Sequence, residues 1–332
     1  MLQLPDKWLW DFWLAQDGPD YHLFFLQASR SLPDPELRHT HVSIGHAVSQ
    51  DLRNWQVLPD AIRPGDAGAW DDYTTWTGSI IRHEGLWFMF YTGGRRAERG
   101  LVQRIGLATS SDLIRWQKHA ASPLLLAEPR WYEQFDTDVW PDQAWRDPCV
   151  FRHPESGEFQ ALITARVPYG PADARGVIAH ATSTDLLHWQ VRPPLTEPGE
   201  FGHMEVPQWV PIGDRYYLLF CAQAGVQSAR RRQRPGVRAV TGTYCLLADA
   251  PLGPFRAVTD VPLAGDEAGS TYAGKLVRGP AGQWLYLTSL QYDARGVFHG
   301  TLADPVPVEI DDGGHLHLAA NTARRGSQSV PF

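Results

Sequence analysis

Only three methionines and three cysteines occur in the 332 residues of this chain. Cys149, Cys221 and Cys245 are odd in number and far apart, which leaves neither a disulfide framework nor a zinc-ligand spacing. Each is expected as a small core hydrophobe. No run of about 20 uninterrupted apolar residues is present, so no membrane helix is expected. The opening MLQLPDKWLW lacks a basic stretch followed by an apolar one, so no signal peptide is expected and the location is taken as cytoplasmic. An excess of positive charge is missing too. The net charge of −7 argues against nucleic acid as the partner. One local exception is SARRRQRPGVR, with Arg230, Arg231, Arg232, Arg234 and Arg238. It reads either as a solvated loop between strands or as an anion-recruiting flap at a pocket mouth.

What is abundant points one way. Fourteen tryptophans, 26 prolines and 30 glycines suit a turn-rich β protein with flat aromatic faces for sugar, although core packing also consumes tryptophan. Three segments repeat: IGHAVSQDLRNWQ (44–56), IGLATSSDLIRWQ (105–117) and IAHATSTDLLHWQ (178–190); TYCLLADAPLGPFRA (243–257) has the same shape. Self-similarity at a near-constant spacing marks a repeat architecture. YHLFFLQ (21–27), LWFMFYTG (86–93), YYLLFCAQ (216–223) and QWLYLTSL (283–290) read as buried central strands. In SxDLxxW, the Ser and Asp are placed to bond the backbone of a tight turn, and the Trp to plug the gap between units. Five strand groups, near 8–57, 76–117, 147–190, 205–257 and 272–318, predict an all-β five-bladed β-propeller. It is expected as a single domain over 1–332, with NTARRGSQSVPF as a tail or ring-closing segment.

Three acids take corresponding places in this repeat. Asp11 lies in the first strand of unit one, within WLWDFWL; Asp147 in AWRDPCV opens unit three; Glu205 in GHMEVPQW opens unit four. A first strand is the innermost of its blade, so the three carboxylates are expected to converge on one axial cavity. A carboxylate pair cleaves a glycosidic bond when one attacks the anomeric carbon and the other protonates the leaving oxygen. The attacker must be ionised and the donor protonated, so their surroundings must differ. Met204, Val206, Pro207 and Trp209 form an apolar setting expected to raise the Glu205 pKa. Arg146 is suited to organising carboxylates and sugar hydroxyls. Each acid has a plainer alternative: Asp11 capping a turn, Arg146–Asp147 as a structural ion pair, Glu205 on the surface.

These residues resemble the β-fructosidase families of five-bladed-propeller glycosidases, chiefly glycoside hydrolase family 32, with families 68 and 43 more distant. The family's Trp-Met-Asn-Asp-Pro-Asn-Gly box is matched by WLWD, its YHLFYQ strand by YHLFFLQ, and its Trp-Gly-His-Ala repeat by IGHAVSQDLRNW. WTGS (76–79), WRDP (145–148), MEVP (204–207) and GSTYAGK follow in family order. The resemblance implies Asp11 as nucleophile, Asp147 as transition-state stabiliser and Glu205 as acid/base, with retention of configuration and carboxyls about 5–5.5 Å apart. It places Gln27, Trp76, Thr77 and Arg146 around the sugar; Trp10 and Tyr272 are further candidates there, and His203, two positions before Glu205, reads either as a substrate contact or as a packing or surface residue. Trp10, Phe12 and Trp13 depart from the first box, Val206 replaces the usual Cys, and no β-sandwich follows, which predicts a stand-alone catalytic propeller.

The leading expectation is a retaining hydrolase of β-fructofuranosides such as sucrose or short fructans. A second is the same chemistry on another furanoside or fructosyl conjugate, including transfer to a sugar acceptor. A non-catalytic carbohydrate-binding propeller is the third. No cofactor is expected, and the partners are a carbohydrate substrate, with no nucleic acid or membrane, in a monomer or small homo-oligomer. His22, His46, His83, His180, His188 and His203 form no cluster of metal-ligand spacing, so no metal is expected.

Overall fold

The computed structural model describes residues 1–319. The stretch read as a tail or ring-closing segment lies outside the described residues. Five antiparallel sheets succeed one another along the chain, each a meander from an inner to an outer strand. Their innermost strands are Lys7–Asp17, Thr74–His83, Trp145–Arg152, Glu205–Ile212 and Thr271–Arg278. Each touches the innermost strand of the next sheet, and the fifth returns to the first. The ring is a five-bladed β-propeller. Leu2 reinforces its closure by exchanging backbone hydrogen bonds of 3.0 and 2.9 Å with Leu302 of blade five.

The apolar runs are the second strands of the blades. Leu23, Phe24 and Phe25 in blade one, and Ala161, Leu162 and Ile163 in blade three, are fully buried on both sheet faces. A central blade strand has a neighbouring blade above and below, so both faces of the pleat must be apolar. The SxDLxxW turns form as expected. Ser49 Oγ accepts from the Leu52 amide at 2.9 Å, and Asp51 Oδ1 from the Arg53 and Asn54 amides at 2.8 and 2.7 Å. Asp112 and Asp185 hold the corresponding turns in blades two and three. Trp116 of blade two meets Phe24 of blade one edge-on at 5.6 Å, and Trp189 of blade three meets Phe90 of blade two at 5.4 Å. These tryptophans fill the wedges between blades.

Blades four and five have five strands each, against four in the other three. In blade four the outer partners of Thr241–Ala248 are two short strands, Arg256–Ala257 and Ala264–Asp266. In blade five Trp284–Tyr292 pairs with both Phe298–Leu302 and Val306–Ile310. Pro262 and Pro305 stand in the gaps, and a proline cannot donate to a strand ladder.

The arginine-rich segment joins two strands of blade four with Arg230, Arg232 and Arg238 exposed, as the solvated-loop reading expects, but Arg231 and Arg234 turn inward. It contains the one α-helix among the described residues, Ala229–Arg232. Arg231 is buried against Phe201 and Tyr244 and reaches Glu200 at 3.1 Å, while Arg234 reaches Asp260 at 2.9 Å. Arg231 and Arg234 are thereby consumed as an internal clamp. No helix among the described residues is long and apolar enough to cross a membrane.

Candidate active site

Alternation along a strand sends consecutive side chains to opposite faces, yet the axial cavity is lined by three consecutive pairs: Trp10 and Asp11, Trp76 and Thr77, Arg146 and Asp147. The cause is a β-bulge repeated at one level of the ring. Each innermost strand carries one extra residue against its partner: between Leu9 and Phe12, Trp76 and Gly78, Arg146 and Cys149, Glu205 and Gln208, and Tyr272 and Lys275. A bulge re-aims side chains, and five of them turn their residues toward the axis. Asp147, Val206 and Ala273 adopt positive φ of 57, 52 and 55° at three of these bulges. Such backbone strain in non-glycine residues concentrates at functional sites.

The resulting well has a volume of about 540 Å³ and receives all three acids. Asp11 Oδ2 accepts from Thr77 Oγ1 at 2.8 Å. Asp147 Oδ2 accepts from Thr164 Oγ1 and from the Val206 amide, both at 3.0 Å, so the strand that carries Glu205 is tied to Asp147. Glu205 Oε1 accepts from Arg146 Nη2 at 2.8 Å, and its other oxygen from the Tyr272 hydroxyl. Arg146 also donates to Gln103 Oε1 at 2.9 Å and Asp142 Oδ2 at 3.0 Å. The plainer alternatives are thereby set aside. Arg146 does lie 3.9 Å from Asp147, but its short contacts go elsewhere.

The contacts of Glu205 differ from what its sequence neighbours suggest. Met204 and Val206 point into the core, and the Glu205 carboxylate itself meets a guanidinium and a phenol rather than an apolar setting. Burial acts on Asp11, whose pKa is pushed up to about 7, first by desolvation and then by the Asp147 charge, against the Thr77 hydrogen bond. Asp147 is also raised by burial, a rise that Arg146 opposes. Beneath the floor, the buried Lys275 ammonium donates to the carbonyls of Val206 and Pro207 at 2.8 and 3.2 Å. Burial lowers its pKa.

Of the residues expected around the sugar, Trp10, Trp76, Thr77, Arg146 and Tyr272 line the well, whereas Gln27 and His203 do not. Leu26 faces the cavity, so alternation turns Gln27 the other way, where its amide donates to Asp60 at 2.7 Å and Ser43 at 3.2 Å. His203 stands behind Arg146, 3.2 Å from Nη2, and its Nε2 accepts from the Trp140 indole at 2.7 Å. Burial and Arg146 depress its pKa well below the usual range, so it is a neutral support. The tryptophans of WLWDFWL also divide. Only Trp10 faces the well; Trp8 packs on Phe298 and Trp13 on Phe24.

Sequence reasoning missed the rim. Glu36, Arg38 and His39 come from the short turn Pro35–His39 in blade one, and Tyr292 from blade five. Arg38 lies 4.0 Å over the Phe298 ring and donates to Glu36 at 2.6 Å and to Tyr292 at 3.2 Å. The loop has no periodicity that could have announced it. Asp142 was more legible, four residues before Arg146 in PDQAWRD.

A well of carboxylates among aromatic walls has the acid, base and nucleophile set that glycoside cleavage requires. The family model for glycosyl hydrolases family 32, N-terminal domain, matches residues 12–252, and the chain belongs to that family. The match opens one residue after Asp11, at the box that departs most from the family pattern. The chain is 29% identical to sucrose-6-phosphate hydrolase of Escherichia coli over 58% of its own length, but this spans only 38% of that relative. It is 25% identical to an extracellular sucrase of Zymomonas mobilis, covering 84% of this chain and 72% of the other. The structure of an inulosucrase from Halalkalicoccus jeotgali shares the fold, with a TM-score of 0.76 and 22% identity over 95% of this chain and 87% of that one.

Proposed function

We propose that this protein is a retaining glycoside hydrolase that releases fructose from neutral β-fructofuranosides such as sucrose or short fructans. The convergence of Asp11, Asp147 and Glu205 on one well carries the reading. In the first step the Asp11 carboxylate attacks the anomeric carbon of the fructosyl unit while Glu205 gives its proton to the departing oxygen. The bond to the leaving sugar breaks and a fructosyl ester forms on Asp11. Glu205, now ionised, then takes a proton from water, which attacks the same carbon and frees Asp11. Asp147, anchored by an amide and a hydroxyl, holds the ring hydroxyls as positive charge develops. Arg146 and Tyr272 fix the Glu205 carboxyl, and Thr77 fixes Asp11.

Neutrality of the substrate follows from the charges of the wall. Asp11, Glu36, Asp142, Asp147 and Glu205 face two guanidiniums, and Arg38 and Arg146 are both engaged by acids of the same wall. Neither guanidinium of that lining is left unpaired to receive a phosphate, so the 6-phosphate of one relative's substrate is a poor fit. The test is free fructose released from sucrose, 1-kestose and sucrose 6-phosphate by the intact chain and by Glu205→Gln. The expected result is turnover of the neutral sugars, weak turnover of the phosphate, and a loss of about 10²–10⁴-fold in the variant. Absence of fructose from every neutral substrate, or an unimpaired variant, overturns the reading.

A further inference from the structure

The hairpin that ends blade five joins Val306–Ile310 to Leu316–Leu318, with Glu309 opposite His317 and Ile310 opposite Leu316. Its turn is fixed by three hydrogen bonds: Asp311 amide to His315 carbonyl at 3.1 Å, Gly314 amide to Asp311 carbonyl at 2.9 Å, and His315 amide to Asp311 Oδ1 at 2.9 Å. Gly314 takes φ +83°, a left-handed conformation that glycine adopts without strain. Strand alternation then does the rest. Leu316 is buried, so His315 and His317 share the outer face, and the turn sets Asp311 beside them.

We propose that this hairpin is a binding site for one divalent ion of the zinc class, with His315 Nδ1, His317 Nε2 and Asp311 Oδ2 as ligands. Oδ2 lies 3.2 Å from His315 Nδ1 and 3.0 Å from His317 Nε2, and all three atoms fall within 4.8 Å of one another. With bonds of about 2.0–2.2 Å, the ligand atoms of a tetrahedral centre stand about 3.3–3.5 Å apart, so the two Asp311 edges need to open by only a few tenths of an ångström, and rotation of the two exposed imidazoles sets the third edge, now within 4.8 Å. Two imidazoles and one carboxylate select zinc, nickel or copper over magnesium or calcium. Glu309, directly across from His317, can supply a fourth ligand or hold a bound water. The other exposed His–Asp pairs, Asp185–His188 and Asp293–His299, offer two groups each, and no second triad occurs among the described residues.

The triad is not announced by the HxH spacing alone, because its third ligand comes across a turn. The ion would tie the turn to the second arm of the hairpin, and the hairpin is also a contact between blades. Tyr217 of blade four donates to the Gly314 carbonyl at 2.9 Å and Arg215 to that of Asp312 at 3.2 Å. None of the three ligands lines the catalytic well, so the site is structural.

Calorimetric titration of the tag-free, chelator-stripped chain with zinc chloride tests the site. One saturable equivalent is expected, with no heat from magnesium or calcium, and zinc should raise the unfolding midpoint. The His315→Gln/His317→Gln double variant should lose at least tenfold in affinity and the thermal shift, while His188→Gln keeps both. Absence of saturable binding, or equal binding by the double variant, overturns the proposal.

Discussion

Removing one hydroxyl should move the pH dependence of the whole reaction. Thr77 Oγ1 donates to Asp11 Oδ2 at 2.8 Å and bonds the ionised form of an acid already pushed up to about 7. A hydrogen bond to a charged group contributes about 1.5–3 kcal/mol. At about 1.4 kcal/mol per pKa unit, Thr77→Val raises Asp11 by about 1–2 units, to about 8 or above. Activity requires the carboxylate, so the acid limb of kcat/KM moves to higher pH by the same amount. At pH 6 the variant should be slower by about tenfold or more, and the two profiles should converge on the alkaline side. Thr77 is buried and valine fills nearly the same volume, so the fold is expected to persist, and the Thr92 bond to the Thr77 backbone carbonyl is untouched. The assay is fructose release from sucrose between pH 4 and 9, with a thermal unfolding control. A loss uniform across pH, with the acid limb unmoved, refutes the argument that this hydroxyl sets the Asp11 pKa.

The same carboxyl is linked to stability with the opposite sign to a salt-bridged aspartate. Its folded pKa of about 7 lies above the unfolded value of 3.8, so its contribution is fully present below 3.8 and is lost as pH rises through 7. Asp11→Asn should therefore abolish activity yet raise the unfolding midpoint at pH 8 by at least about 2–4 °C, with little change at pH 4. Arg146→Lys keeps the charge but cannot serve Gln103, Asp142 and Glu205 together. A loss of about 10²-fold in kcat/KM is expected from misplacement of Glu205, measurable by initial rates on sucrose.

Much of this was legible in one dimension. The SxDLxxW turns, the wedge tryptophans and the apolar second strands depend on contacts within one repeat or between adjacent ones, and local chemistry marks them. The blade limits, 7–62, 74–118, 145–192, 205–266 and 271–318, lie within a few residues of the expected ones except at the outer edges of blades one and four. Asp11, Asp147 and Glu205 were recognisable because inner strands recur at corresponding places in each unit. Gln27 misled for a definite reason: membership of a motif does not say which way a side chain faces, whereas His203 took the packing role open to it.

Composition, alternation and repeat spacing by themselves determined a ring of five β blades with three acids on its inner strands. Only the tertiary structure decided the rest, because it rests on bulge register, on loops meeting across the ring, and on what each charge finds beside it. The extra residue in each inner strand turns adjacent side chains into one well. The Pro35–His39 turn meets Tyr292, with Arg38 and Tyr292 254 residues apart, to make the rim. Apolar sequence neighbours suggested a shielded Glu205, but side chains feel their neighbours in space, and there Arg146 and Tyr272 hold Glu205 while burial falls on Asp11.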